Sequence, residues 1–144
     1  MAVENRRVPL QAFKAGEDLR NSNGCFVKLN SDAELVKCEE ASDKCIGVLI
    51  DDGGETQAST DRNTVQVCTE FGAIVKVRTA PGAARSPLAK GDRVTTTATG
   101  TVDKQATDSA VAHGVALEAV GADSSPAANT PAVFISILLM PNCA

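Results

Sequence analysis

The sequence predicts a mainly β protein. We expect a small β-barrel or sandwich-like domain with two pseudo-repeated β-lobes, short helices at most and an extended N-terminal arm. Three observations predict this fold. Apolar and polar residues alternate over short runs. Turn clusters such as Asn23-Gly24 and Lys90-Gly91 recur between the runs, and no segment keeps a helical period for three turns.

The alternating runs predict the strands in chain order, because a period of two places every second side chain on the same face of a sheet. The runs are Phe26-Val-Lys-Leu, Glu34-Leu-Val-Lys, Thr64-Val-Gln-Val-Cys, Ile74-Val-Lys-Val and Ala132-Val-Phe-Ile-Ser-Ile-Leu-Leu. The polar stretch 95–107 and the Ala/Ser/Pro-rich stretch 119–131 contain few bulky residues, so both are expected to be exposed loops.

Residues 1–22 precede these runs and contain Pro9 with alternating apolar residues. This segment is expected to be an N-terminal arm or an edge strand, and a disordered tail is the alternative. Residues 23–144 are expected to form a single β-rich domain.

The chain also contains an internal repeat. When the sequence is shifted by 67 positions, one segment lies over another without a gap. The coincident pairs include Gly24 and Gly91, Val27 and Val94, Lys37 and Lys104, and Gly47-Val48 and Gly114-Val115. These pairs predict two similar lobes with pseudo-twofold character, about 24–51 and 91–118, joined through 71–89. Chance similarity is the alternative, since the identities are few.

Composition narrows the function classes. The 144 residues suit one domain, but the apolar residues are mostly Ala and Val, which remove little area from water, so oligomerisation is expected to add buried surface. A net charge of −4 argues against a nucleic-acid partner. No apolar run is long enough to predict a membrane partner, and no apolar segment follows the charged N-terminus as in a secretory signal.

The residue types that carry chemistry form no recognisable pattern. The five cysteines have irregular spacing and no C-x-x-C pair, so they are interpreted as small buried hydrophobic residues, with a zinc site as the alternative. His113 is the only histidine and is expected to be structural; a small hydrolase using it is the alternative. The sequence therefore predicts no enzyme, no catalytic residue, no cofactor and no metal site.

Seven phrases occur in an order that resembles the capsid decoration (cement, or head-stabilising) proteins of tailed bacteriophages. The phrases are Phe13-Lys-Ala-Gly-Glu-Asp-Leu, Phe26-Val-Lys-Leu, Ile46-Gly-Val-Leu, Phe71-Gly-Ala-Ile-Val-Lys-Val, Leu88-Ala-Lys-Gly-Asp-Arg-Val, His113-Gly-Val-Ala-Leu-Glu-Ala and Ile137-Leu-Leu-Met-Pro. They span nearly the whole chain. The five cysteines and the polar insertion 124–131 depart from the usual pattern.

The resemblance implies a structural virion protein that binds the major capsid protein on the outer surface of the expanded head, at junctions between capsomers. It also implies a homotrimer, synthesis in the cytoplasm of the bacterial host and no catalytic residues. A virion module that binds host-surface glycans or receptors is the alternative, although the sequence has no Tyr or Trp and only four Phe.

Two sets of residues are candidates for the capsid or subunit interface. The N-terminal set is Val8, Leu10 and Phe13, which could add a strand to a neighbouring sheet edge. The C-terminal set is Leu138, Leu139 and Met140. The alternative for the C-terminal set is an ordinary core strand.

Overall fold

A computed structural model describes residues 10–40, 43–51, 64–80, 87–105, 112–120 and 134–143. Within these ranges ten strands form two five-stranded antiparallel sheets, and no helix occurs. The predicted mainly β fold is confirmed, with the two sheets arranged as a small sandwich-like domain rather than a closed barrel.

The first sheet forms the first lobe. Its strands are β1 (Leu10–Lys14), β2 (Phe26–Leu29), β3 (Leu35–Lys37), β4 (Gly47–Asp51) and β5 (Thr64–Cys68). Their order across the sheet is β1-β5-β4-β2-β3. The strand β1 therefore lies at a sheet edge.

The second sheet forms the second lobe. Its strands are β6 (Ile74–Arg78), β7 (Arg93–Thr96), β8 (Val102–Lys104), β9 (Ala112–Ala116) and β10 (Phe134–Cys143). Their order is β6-β10-β9-β7-β8, which is the order of the first lobe repeated strand for strand.

The repeat extends to the register of the strands. Val27 pairs with Lys37 in the first lobe, and Val94 pairs with Lys104 in the second, at the offset that the sequence repeat predicts. The pairing of β1 with β5 also matches that of β6 with β10. However, β6 follows β1 at an offset smaller than that of the sequence repeat, and β10 follows β5 at a larger offset. Differences in the lengths of the connections therefore hide these two strand pairs from a search without gaps.

The turns repeat as well. Gly24 and Gly91 both have positive φ, 86° and 89°, where a Cβ atom is unfavourable. Their N–H groups donate to equivalent carbonyls, of Leu49 and of Ala116, at 2.8 Å in both lobes. The two lobes are therefore one backbone design used twice.

Each sheet curls until its edge strands meet at one point. A single parallel bridge joins Ala15 to Leu35 in the first lobe, and Thr79 to Val102 in the second. One bridge is not a continuous ladder, so both sheets remain open.

The side chains form two apolar clusters. The inner face of the first sheet supplies one cluster, which includes Val27, Leu49 and Val67. The equivalent residues of the second lobe, Val94, Ala116 and Ile137, belong to a larger cluster. That cluster also takes in residues from the opposite face of the first sheet, namely Phe26, Cys38, Cys45, Val48 and Cys68.

This larger cluster marks the contact between the lobes. The Phe26 N–H donates to the Gly100 carbonyl at 2.8 Å, and the Phe26 ring lies 5.4 Å from the His113 ring. Beside it, the Arg78 N–H donates to the Gly24 carbonyl at 2.9 Å. The first lobe thus contributes a sheet face, whereas the second contributes its turns and strand ends.

The two contacting surfaces are not equivalent in the repeat. Phe26 corresponds to Arg93, and Gly100 corresponds to Ala33, yet Arg93 and Ala33 are both exposed. A pseudo-twofold axis would place equivalent residues in equivalent contacts. The predicted pseudo-twofold character is therefore wrong, and the lobes pack head to tail.

The loop between β3 and β4 holds the first lobe against the second. Cys38 and Cys45 form a disulfide across this loop, and the Thr96 hydroxyl donates to the Glu40 carbonyl at 2.7 Å. The Asp43 carboxylate accepts the Glu39 and Glu40 N–H groups and pairs with Lys28 at 2.9 Å. The interpretation of all cysteines as unlinked hydrophobic residues is wrong for this pair.

Two boundaries predicted from the sequence also change. The segment expected to join the lobes, 71–89, already contains β6, so the chain crosses between the sheets within 69–73. The stretch 95–107 is predicted to be an exposed loop, but it contains β8 and the buried residues Thr95, Thr96 and Thr101. Short strands rich in Thr lack the bulky residues on which that prediction depends.

Candidate functional site

The structure exposes more large apolar side chains on the second lobe than on the first. Among the described residues, six large hydrophobic side chains are 37% to 53% exposed: Leu10, Leu29, Phe71, Ile74, Leu117 and Phe134. The last three lie in the second lobe and Phe71 lies just before it. Exposed apolar side chains that lie together are typical of protein-binding surfaces.

A row of directly paired residues organises this surface. Ile74 pairs with Leu138, Leu138 with Val115, and Val115 with Arg93, across the strands β6, β10, β9 and β7. We call these four residues the second-lobe row. Ile74 and Arg93 are exposed, and Leu138 and Val115 are half-buried. The row is therefore accessible from end to end.

The first lobe has an equivalent row in the same register. Leu10 pairs with Cys68, Cys68 with Val48, and Val48 with Phe26. We call these four residues the first-lobe row. Cys68, Val48 and Phe26 are at most 1% exposed because they belong to the cluster shared with the second lobe. The same structural position is thus buried in one lobe and open in the other.

An ion pair borders the second-lobe row. Lys76 Nζ lies 2.8 Å from Glu118 Oε2, and the Ser136 N–H donates to the same carboxylate. The Lys76 hydrogen bond and the Ser136 backbone hydrogen bond lower the pKa of Glu118 to about 2. Since both hydrogen bonds favour the carboxylate, Glu118 stays charged across the neutral and mildly acidic range.

Phe134 lies at one end of this surface, where its ring contacts a cationic side chain. The Arg78 guanidinium lies 5.1 Å from the centre of the Phe134 ring, within the range of a cation–π interaction. The ring also lies close to Gly24, where a Cβ atom would approach it to 2.7 Å. Phe134 therefore contacts the first lobe on one side while 46% of it remains exposed.

The N-terminal candidate residues are separated by the structure. Val8 lies outside the described residues. Leu10 is 40% exposed on the edge strand β1. Phe13 is half-buried and packs against the core of the first lobe. Leu10 is thus the described member of this set that offers an apolar side chain to a partner.

The C-terminal candidate residues lie on both faces of β10. Leu138 is half-buried in the second-lobe row, and Met140 is also half-buried. Leu139 is 2% exposed and belongs to the core, so its assignment to an interface is corrected. Alternation along a strand places adjacent residues on opposite faces, which explains why the three cannot act together.

Sequence reasoning missed Ile74, Arg93, Leu117 and Phe134. A usable signal was present in β10, where Phe134-Ile135 and Ile137-Leu138-Leu139 place apolar residues on both faces. Strands that are apolar on both faces are typical of sheets covered on both sides. No signal within the strand identified Arg93, because its position matters only through its register with Val115.

The side chains of Cys25, Cys68 and His113 are buried in this arrangement. Burial raises the pKa of the Cys25 and Cys68 thiols, and the charge of Arg78 partly opposes the shift at Cys25. Protonated buried thiols are poor nucleophiles. His113 is 1% exposed, with its Nε2 3.7 Å from Cys45 Sγ. These groups occupy the interior between the lobes rather than an open cleft.

Metal and membrane features are absent from the part of the chain that the structure describes. These residues contain no group of three or more His, Cys, Asp or Glu side chains arranged to hold a metal ion. No helix among them is long and apolar enough to cross a membrane.

The chain matches no protein-family model and no curated protein.

Proposed function

We propose that the protein is a structural virion component that binds the outer surface of a tailed-phage capsid. It cements neighbouring capsomers and stabilises the expanded head against the pressure of packaged DNA. Its partners are the major capsid protein and further copies of itself, as a homotrimer. The observation that carries the proposal is the set of large apolar side chains exposed on, or directly beside, the strands of two open sheets.

The order of the sequence phrases supports the proposal. Several of the phrases that resemble decoration proteins coincide with the repeated elements of the fold. Phe26-Val-Lys-Leu is β2, and Leu88-Ala-Lys-Gly-Asp-Arg-Val leads through the positive-φ turn at Gly91 into β7. The resemblance therefore rests on residues that build the two lobes.

The free edge of the first sheet supports one mode of attachment to the capsid, the addition of a strand. Within the described ranges, β1 pairs with β5 alone along its length, so its outer side presents backbone groups that a strand of another protein can pair with. Leu10 is exposed on this strand. Residues 1–9 precede it and complete the proposed capsid contact, which includes Val8.

Multiple copies explain how small contacts could reinforce a shell. Each attached oligomer would engage several capsid subunits at once, and linked weak contacts give a much higher overall affinity than one contact alone. Such a clamp would resist separation of neighbouring capsomers without any catalytic group.

The glycan-binding alternative has less support. Sugar-binding surfaces commonly stack aromatic rings on the sugar, and the exposed aromatic side chains among the described residues are Phe71 and Phe134. Phe134 is already engaged by Arg78. We therefore treat receptor binding as an outcome of the experiment rather than as a second proposal.

The experiment is co-sedimentation with expanded heads of the cognate phage that lack decoration protein. The full chain is expected to pellet with heads at a fixed saturating ratio. Removal of residues 1–9, and separately Leu10→Asp, are expected to weaken attachment while the protein stays folded. Arg20→Glu is the control, since Arg20 is exposed and lies outside both candidate sets.

Each outcome has a defined meaning. If the full chain stays in the supernatant at every head concentration, the proposed function is wrong. If the truncated chain pellets at the ratio of the full chain, the head remains the target but the N-terminal contact is wrong. Binding to host cells without binding to heads would favour the receptor alternative.

A further inference from the structure

Among the described residues, the contact between the lobes leaves two matching surfaces without a partner. Three residues of the first-lobe row, Cys68, Val48 and Phe26, are covered by the second lobe, whereas the equivalent second-lobe residues Leu138, Val115 and Arg93 are half-buried or exposed. Conversely, the second lobe covers that row with its turns and strand ends. The equivalent end of the first lobe consists of exposed or half-buried residues: Lys14, Leu29, Ala33, Ile46 and Thr64. We call these five residues the first-lobe end.

We propose that a second copy of this chain docks its first-lobe end onto the second-lobe row, repeating between copies the contact that joins the lobes within one copy. The inference deepens the self-association included in the proposed function and names the surfaces that would carry it. The occupant follows from the duplication, because the same backbone geometry already makes this contact once in each chain.

Backbone geometry supports the match. Within the chain, the Phe26 N–H donates to the carbonyl of Gly100, which has φ 75°. The equivalent acceptor, Ala33, adopts nearly the same conformation, with φ 60°. The turn hydrogen bonds are also the same, since the N–H of Ala33 donates to Asn30 and that of Gly100 donates to Thr97. The first-lobe end therefore presents its carbonyl in the required shape.

Apolar residues occupy positions that the proposed contact between copies would bury. Leu29 takes the place of Thr96, and Ile46 takes the place of His113. Leu29 is 41% exposed in the single chain. On the opposite surface, Leu138 and Val115 take the places of the buried Cys68 and Val48. The exposed Leu29 would thus lie against an apolar row instead of water.

Charges are also complementary. Arg93 takes the place of Phe26 and would lie beside Ala33 of a second copy, between Asp32 and Glu34. Lys104 takes the place of Lys37, whose Cβ lies near Gly100 within the chain, and its ammonium group, which pairs with Asp92 of the same chain at 3.4 Å, also lies at this site. Opposite charges at facing positions fix the register and orientation of an interface.

A second pair of positions that would face each other between copies also carries opposite charges. Within the chain the Arg78 charge lies close enough to Cys25 to act on its thiol. The equivalent residues are Lys14 and Asp92, which carry opposite charges. Within the chain Lys14 pairs with Glu34 at 3.2 Å, and Asp92 pairs with Lys104 at 3.4 Å. The signs of these charges match a head-to-tail contact between copies, in which each ion pair of one copy would lie beside an ion pair of the other.

Repetition of such a contact has a geometric consequence. A head-to-tail contact uses different surfaces on the two partners, so successive copies form a closed ring or an open chain according to the rotation between them.

The test is a pair of charge reversals measured without capsids. Sedimentation velocity across a concentration series gives the dissociation constant for the wild type, Arg93→Glu, Asp32→Arg and the double variant. Each single variant is expected to weaken association by about tenfold or more, because like charges then face each other, and the double variant is expected to restore it. Arg20→Glu has the same charge change as Arg93→Glu and is expected to have no effect.

The outcomes separate this inference from the proposed function. A wild type that stays monomeric at its solubility limit overturns the inference, as does unchanged association of Arg93→Glu. Loss in both single variants without rescue in the double variant overturns the head-to-tail pairing. Rescue supports it, whether or not the oligomer then binds heads, because head binding is measured separately.

Discussion

The two lobes share strand order, register and turn geometry, yet the same sheet face is buried in the first lobe and exposed in the second. In the first lobe this face carries Phe26, which is 1% exposed against the second lobe. In the second lobe it carries Arg93, which is exposed. The backbone therefore supplies a contact surface in both lobes, and side chains decide which surface is filled within the chain.

The inner faces of the two sheets, which line the cores of the lobes, differ less than these outer faces. Leu49 pairs with Val67 in the first lobe, whereas Ala116 pairs with Ile137 in the second. The larger residue of the pair moves from one strand to its neighbour, which partly preserves the filled volume. Cores tolerate such redistribution when volume and pattern are kept.

The comparison between Phe26 and Arg93 gives the largest expected effect. Phe26→Ala should lower the free energy of unfolding by about 3 to 5 kcal/mol, because it leaves a cavity beside His113. Arg93→Ala should change it by less than about 0.5 kcal/mol, as for other exposed positions. Urea denaturation at a protein concentration below association measures both. Similar losses in the two variants would show that the two faces are not used differently.

The comparison between Gly100 and Ala33 comes next. Gly100→Ala should destabilise the protein by about 2 to 3 kcal/mol, because left-handed backbone disfavours a Cβ and the new atom would approach the Phe26 carbonyl to 2.8 Å. Ala33→Gly should instead stabilise it by up to about 1 kcal/mol, since the same strain is relieved where no lobe packs. Thermal unfolding of both variants checks the opposite signs. Equal signs would contradict the assignment of Gly100 to the interlobe contact.

The crosslinked loop distinguishes the lobes in a third way. The equivalents of Cys38 and Cys45 in the second lobe are Gln105 and Ala112, so only the first lobe has this disulfide. Reductant should lower the stability of the wild type by about 2 kcal/mol, as expected for a short closed loop. The double variant Cys38→Ala/Cys45→Ala is the control and should not respond to reductant. A response of equal size in the control would mean that another disulfide is responsible.

The smallest expected effect concerns the ion pair beside the second-lobe row, because the first lobe has Ala12 where the second has Lys76. The pKa of Glu118 lies at about 2 in the folded protein, below its ordinary value of 4.5. Its contribution to stability is therefore complete above about pH 4.5 and is lost as the pH falls toward 2. The stability difference between the wild type and Glu118→Gln should shrink over this interval. In a Lys76→Gln background most of the pH dependence should disappear, and its persistence would contradict the ion pair as the cause.

The repeat could be predicted from the sequence only where its spacing is constant. The strands β7 and β8 follow β2 and β3 at one shared offset, so a search without gaps finds them. The strands β1 and β5 lie at other spacings from their equivalents, so their similarity appears only in the pairing. Turn residues were informative for the same reason, since Gly24 and Gly91 need positive φ in both lobes.

The candidate surface was less predictable. Alternation correctly places Leu138 and Leu139 on a strand, but it gives no sign of which face meets solvent. That choice depends on the packing of one lobe against the other, which brings Phe26 to Gly100 across many residues of chain. The disulfide was hidden similarly, because Cys38 and Cys45 approach each other only when β3 and β4 both flank β2.

The central placement of β10 affects the order in which the chain can fold during synthesis. The strand lies between β6 and β9 in the second sheet, although the ribosome makes β6, β7, β8 and β9 before it. The first lobe can complete its sheet once β5 has emerged. In the second lobe, β6 lacks its neighbouring strand until β10 has been made. A nascent chain stalled before Phe134 is therefore expected to carry a folded first lobe and an incomplete second one, which pulse proteolysis of stalled chains would reveal.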